Sequence, residues 1–454
     1  MKDLDFIRHD PEGALTEPAG TGTTRREFLQ GGAMAAGLAA ASYLAPAGKA
    51  EAAATAPAAS SSGLNMISPT FETSPTYLAT YPASDRARKI CKDAMLIDTL
   101  FSAVVPLQWK TDDQFDPVMD EMIATGFNVL GICSSADVAG SDPKPVIDAA
   151  RFYYKKIFAR PDKYALVRST ADIHAARKAG KLGIYLVHQG TNQFGGNVDN
   201  VALMKAMGFG YCLLVYNVKN AVGGGCAEDD DPGLSDYGRK LIRAYNRYGM
   251  VVDVNHTGNR TALDACEASS KPVIFSHSGA KGVFKSFRNC TDELIKAIAG
   301  TNGVCSMFGT GAYIDPTNPP VVGPEILFKH IDYMCQLHGN ANHVGYGSDW
   351  IPDMNQTMQL VMSKADTYPD AGGLAPGTTK KAIEMYGPTA NPSRILPALV
   401  DQMLSHGYAE PDIHKILGGN MMRVFDEVWS GADVEVPDTA AYGGMRPSFE
   451  MDWR

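Results

Sequence analysis

Eight short apolar runs recur along the chain, at 95–101, 129–134, 183–189, 211–217, 250–256, 272–278, 304–309 and 343–349, and each stops at a polar or small residue. Most are near-continuous in Val, Ile, Leu, Tyr and Phe instead of alternating with polar positions, the pattern of strands covered on both faces. Helix-length segments lie between them, among them Asp116–Thr125, Val198–Met207, Leu234–Tyr248, Thr261–Ser269, Thr291–Gly300 and Pro324–His338. Strand and helix alternating eight times predict a (β/α)8 TIM barrel. A doubly wound open sheet is the competing architecture, but no glycine-rich phosphate loop follows the first run. Ser84 reads as the N-cap of a short helix through Lys92. Asp412–Trp429 reads as one closing helix, and 351–393, rich in Pro, Gly and Thr, as an insertion after the last strand.

Three segments follow. Thr24-Arg25-Arg26-Glu27-Phe28-Leu29 precedes an uncharged Ala/Gly-rich stretch and then small residues, which makes 1–54 a twin-arginine export signal, cleaved near 50–54. A membrane anchor is the alternative, but the stretch barely reaches spanning length and is Ala/Gly-rich rather than Leu-rich. Residues 55–83 read as a linker and 84–454 as the barrel domain; the expected compartment is the periplasm. With 454 residues the chain has room for one barrel with insertions, and a net charge of -9 argues against nucleic-acid binding. The eight cysteines show no CxxC spacing and several sit inside apolar runs, so no disulfide is expected.

In a barrel of this kind the chemistry sits at the C-terminal ends of the strands. Those ends carry Ser134 and Ser135, His188 and Gln189, Tyr216 and Asn217, His256, His277, Phe308 and Asp349. His256 and His277 close consecutive runs, 21 positions apart, so their imidazoles should sit side by side as a zinc or acid/base pair, with Asp349 as a further ligand or base. His188 is a third candidate ligand if a bulge turns it inward. Arg288-Asn289, just past the sixth run, could clamp a substrate carboxylate, and the surface-arginine reading has equal weight on spacing alone. His174, His330, His338, His406 and His414 fall on helical segments and read as solvated. The Gly223–Asp231 segment reads as a mobile loop, because it lacks the ligand spacing of a calcium loop.

Tyr248–His256, Pro272–Ser278, Arg288–Asp292, Gly345–Asp349 and Ile416–Asn420 with Arg423-Val424-Phe425 together resemble the membrane (renal) dipeptidases, zinc-dependent barrels related to the amidohydrolases. The resemblance implies that His256 and His277 hold the second of two zincs, that Arg288 binds the substrate carboxylate, and that Asp349 is the active-site aspartate. A homodimer would be usual in that family; Asn217 and Asn289 are further substrate-binding candidates, and Tyr216 and Gln189 join Asp349 as catalytic candidates. The same comparison shows losses. Leu100 and Ser102 stand where the family has the His-x-Asp pair of the first zinc, Gln189 where a glutamate bridges the metals, and Tyr216 where a histidine steadies the oxyanion. A neutral amide is a poor zinc bridge, whereas a phenol still donates one hydrogen bond. The expectation is an exported dipeptidase-like barrel with a degenerate metal site, redirected to processing or tailoring a peptide-like substrate such as a pyoverdine-type siderophore precursor. The alternative is a dipeptidase or amide hydrolase with one zinc ion.

Overall fold

A computed structural model describes residues 81–102, 115–137, 143–315, 322–351 and 391–430. The expected export signal, most of the expected linker and all but the ends of the expected 351–393 insertion lie outside them. The strands among the described residues are β1 (Leu96–Phe101), β2 (Phe127–Ala136), β3 (Tyr164–Leu166), β4 (Leu182–Gln189), β5 (Phe209–Leu213), β6 (Val251–Asp253), β7 (Val273–Ser278), β8 (Val304–Met307) and β9 (Val344–Tyr346). Eight of them run in parallel in the order β1-β2-β4-β5-β6-β7-β8-β9, and β3 adds to the outside of β4. All eight expected runs are therefore barrel strands, and β3 is the addition that the sequence did not announce.

Just beyond β9 the ring closes on β1. Asp349 N donates to Leu100 O at 2.9 Å and Ser102 N to Trp350 O at 3.0 Å, continuing the ladder between first and last strands. Gly347 makes this seam possible. A Cβ there would stand 2.1 Å from Ser276 O and 2.2 Å from Thr99 Oγ1, so any side chain would push the last strand away. Inside, the Thr99 hydroxyl donates to Ser276 O (2.6 Å) and Tyr346 O (3.0 Å), crossing the barrel.

The outer helices form for ordinary reasons. Asp236–Tyr248 starts at Ser235, whose hydroxyl accepts from Gly238 N, and ends at Gly249 with φ 68°. Its inner face buries Leu241, Ile242, Ala244 and Tyr245, the large apolar ones stabilising by roughly 1.5–3 kcal/mol each. Helices Lys144–Ala159, Thr170–Lys178 and Pro392–Ser405 also form, unannounced by the sequence pattern.

The expected closing helix is not continuous. It breaks into Glu410–His414, a wide turn at Lys415–Gly419 and Asn420–Trp429. Gly418 lies against β1, where a Cβ would be 1.9 Å from Met95 O, and the close fit forces the kink. Phe425 and Trp429 on the last segment stack at 3.9 Å and meet the barrel's Tyr185 at 5.4 and 5.8 Å, filling the base of the barrel. No described helix is long and apolar enough to cross a membrane. The eight cysteines are free thiols.

Candidate active site at the barrel mouth

β5, β6 and β9 stop short of their predicted ends, so three site residues ride on irregular backbone beyond the strands. Asn217 (φ 58°), His256 (φ 59°) and Asp349 (φ 49°) all adopt left-handed conformations. Non-glycine residues pay for this geometry unless their surroundings over-determine it, and here they do. Asp253 Oδ1 accepts from Asn255 N (3.0 Å) and Ser276 N (3.2 Å). Asn255 Oδ1 in turn accepts from His256 N at 2.8 Å, and its amide nitrogen donates to His277 O.

The structure brings the two histidines together. His256 Nε2 lies 3.1 Å from His277 Nε2, and both residues are buried. His256 Nδ1 donates to Asn217 Oδ1 at 2.6 Å, which leaves Nε2 as an acceptor, and Tyr216 stacks on the same ring at 4.2 Å. His277 Nδ1 pairs with the Ser276 hydroxyl at 2.8 Å. Arg288, 3% exposed, reaches into the pair: Nη2 donates to His256 Nε2 at 3.0 Å and Nη1 to Asn255 Oδ1 at 2.8 Å. Its Cζ lies 5.8 Å from the ring centres of both Phe308 and Tyr313.

Burial, together with the Arg288 charge, holds both imidazoles well below the usual histidine range, so they are neutral at neutral pH. Asp349 moves the other way. Burial raises it to about 6, against the pull of Arg288 and hydrogen bonds from Ser102 and Thr310. Beneath the mouth, burial raises Asp98 and Asp253 to about 7 each. Asp98 ties the seam: its carboxylate accepts from Ser348 Oγ (2.5 Å), Ser348 N (2.8 Å) and Leu100 N (3.1 Å).

Other residues singled out in the sequence lie elsewhere. His188 contacts Asp137 Oδ1 at 3.2 Å through Nε2 and Ser134 Oγ at 3.4 Å through Nδ1, so both its ring nitrogens are engaged away from the histidine pair. Gln189 donates to Cys133 Sγ at 3.3 Å. Asn289 uses both amide N–H groups on Phe284 O (2.9 Å) and Tyr313 O (2.7 Å), and its oxygen accepts from Gly279 N at 3.1 Å, so it braces a loop. His330, expected on a solvated face, is fully buried: Nδ1 accepts from Ala280 N at 2.9 Å and Nε2 donates to Ile314 O at 3.1 Å. The supposed mobile loop is anchored too. Cys226 N donates to His256 O and Ala227 N to Asn217 O, each at 2.9 Å, and Asp231 accepts from Arg260 N at 2.7 Å.

The donor set decides what the site can hold. Two Nε2 atoms 3.1 Å apart could share one ion at zinc–nitrogen distances of about 2.0–2.1 Å. Yet a guanidinium nitrogen stands 3.0 Å from one of them, and Leu100 and Ser102 at the end of β1 offer neither an imidazole nor a carboxylate. Among the described residues no group of three or more His, Cys, Asp or Glu is arranged to hold a metal. Neutral imidazoles beside a buried cation suit an anion better than a dication. The residues do not fit a two-zinc centre.

A model of the family described as membrane dipeptidase, peptidase family M19, matches residues 85–370. An uncharacterized dipeptidase of Schizosaccharomyces pombe is 29% identical over 227 residues, which are 50% of this chain and 53% of that protein, so the chain spans about half the length of this curated relative. Among solved structures, an amidohydrolase from Pseudomonas aeruginosa is 26% identical with TM-score 0.63, the match covering 76% of this chain and 99% of that one. The probable dipeptidase PvdM from Pseudomonas aeruginosa is 17% identical with TM-score 0.59, covering 76% and 98%.

Proposed function

Because the chain belongs to the membrane dipeptidase family, peptidase family M19, we propose that it uses this hydrolase barrel to hold a peptide-like molecule by a carboxylate and to process or tailor it without a two-zinc mechanism. The observation that carries this reading is Arg288. It is a buried cation whose hydrogen bonds go to two neutral acceptors, Asn255 Oδ1 and His256 Nε2, and it points into a ring of ionisable groups. A buried charge of this kind gains most from an incoming anion, and a carboxylate can take two parallel N–H bonds from a guanidinium.

With the carboxylate so placed, the remaining groups take defined parts. Asp349, raised to about 6, is ionised at neutral pH yet close enough to it to accept a proton efficiently. His256, its Nδ1 proton fixed on Asn217, presents Nε2 to the Arg288 guanidinium and so helps to orient the clamp. Tyr216 stands over that imidazole, where its phenol can donate to a developing oxyanion.

The proposed setting is the periplasm after twin-arginine export, and the proposed substrate a pyoverdine-type siderophore precursor. The export signal supports the setting, and the loss of the first-zinc donors supports a substrate other than generic dipeptides. A single-ion dipeptidase is the second reading, favoured by the 3.1 Å spacing of the two Nε2 atoms. Metal analysis and dipeptide turnover on the purified mature protein separate them. Substoichiometric metal and no dipeptide hydrolysis are expected; one tightly held ion per chain with turnover would establish the second reading instead. Deletion of the gene should leave a non-fluorescent siderophore precursor in the periplasm, and normal pigment would refute that substrate.

A further inference from the structure

Arg288 does not face the mouth alone. Phe308 follows β8, Tyr313 sits in the short helix Gly311–Ile314 and Phe287 precedes Arg288 in the loop after β7. The rings of Phe308 and Tyr313 are nearly parallel, 11° apart with centres 6.2 Å apart, and Phe287 meets Tyr313 edge-on at 5.8 Å. With Arg288 Cζ 5.8 Å from both parallel rings, the guanidinium and two aromatics form a compact triangle. Phe308 is fully buried behind it, whereas Phe287 and Tyr313 are half-buried and lie toward solvent.

This wall is fixed in place. Asn289 joins the Arg288 loop to Tyr313 O, and His330 bridges the same two segments from below, through Ala280 N and Ile314 O. Two buried polar side chains therefore hold the aromatic rings at a set distance from the cation. Such bracing is more than packing of half-exposed rings requires, and it suits a surface that must keep its shape while a ligand comes and goes.

We propose that Phe287 and Tyr313, backed by Phe308, form a specificity wall that selects an aromatic side chain on the residue whose carboxylate sits on Arg288. The proposal rests on the carboxylate reading of Arg288 and adds the substrate class to it. A carboxylate docked on the guanidinium carries its α-substituent against the neighbouring rings. An aromatic substituent there gains both apolar burial and edge-to-face contact, while a methyl group gains little.

The test compares Gly-Phe with Gly-Ala binding to the purified full-length mature protein by titration calorimetry. Gly-Phe should bind roughly tenfold more tightly. The ratio should fall toward one in Phe287→Ala and Tyr313→Ala and be kept in Phe287→Tyr. Equal affinities in the wild type, both lost in Arg288→Met, would overturn the wall and leave the carboxylate reading standing. Affinities that survive in Arg288→Met, or no binding of either dipeptide, would overturn both. A Gly-Phe preference that persists in both alanine variants would also overturn the wall.

Discussion

Replacing Arg288 by methionine separates structural from ligand-binding demands at the mouth. The change removes two charge-assisted hydrogen bonds, each worth about 1.5–3 kcal/mol. Against that loss, the desolvation of a buried guanidinium costs several kcal/mol, and methionine restores an apolar stem between Phe308 and Tyr313. Asn255 Oδ1 stays satisfied, because it still accepts from His256 N at 2.8 Å. The net effect on stability should be within about 1–2 kcal/mol of zero, a shift of a few degrees in Tm for a domain of this size. Binding should respond very differently. Losing the charged clamp costs about 2–5 kcal/mol, or roughly 30- to 4,000-fold in Kd for a carboxylate-terminated dipeptide. Denaturant titration and calorimetry on the same preparations measure both quantities. A stability loss above about 3 kcal/mol with unchanged dipeptide affinity would make Arg288 a structural strut and refute the reasoning.

Three further outcomes are expected. Mass spectrometry or atomic absorption should find less than one zinc per chain in the wild type, and Leu100→His with Ser102→Asp and Gln189→Glu should raise it; a stoichiometric pair in the wild type would show that the donor-set argument fails. Asp98, raised to about 7, binds a proton in the fold that the unfolded chain has already released near pH 4, so its contribution to stability is present below about 4 and lost as pH climbs to 7. Asp98→Asn should accordingly gain stability relative to wild type between pH 5 and pH 8 by denaturation, since Ser348 Oγ can accept from the new amide; a pH-independent difference would count against the buried carboxylic acid. Asn217→Ala combines left-handed strain with the lost bond to His256, together about 2 kcal/mol, whereas Asn217→Gly loses the side-chain bonds without the strain. Nitrogen-15 spectra should show the His256 proton redistributing between ring nitrogens in both variants, and an unmoved proton would refute the positioning assigned to Asn217.

The barrel was legible because its strands are covered on both faces and so read as continuous apolar runs. The histidine pair was legible because one strand plus one crossover helix sets a fixed stride. What escaped detection depends on neighbours that are distant in sequence. His330 lies in a helix whose periodicity says nothing of the loop packed on it, yet that loop and Ile314 bury it completely. Asn289 adjoins the substrate-clamp candidate, but the approach of Tyr313, 24 residues on, claims its amide. The early ends of β5, β6 and β9 did leave a trace: asparagine, histidine and aspartate are the residues that tolerate positive φ best, and they occupy 217, 256 and 349. Gly418-Gly419 likewise marked the place where the closing helix breaks.

The stack of Phe425 and Trp429 under Tyr185 has a consequence for traffic. Among the described residues these rings pack into the floor below Tyr185, so a ligand reaches the histidine pair from the mouth. A long chain can insert only one terminus while the remainder trails into solvent. That geometry favours work on the ends of molecules over their middles, whatever reaction the mouth performs.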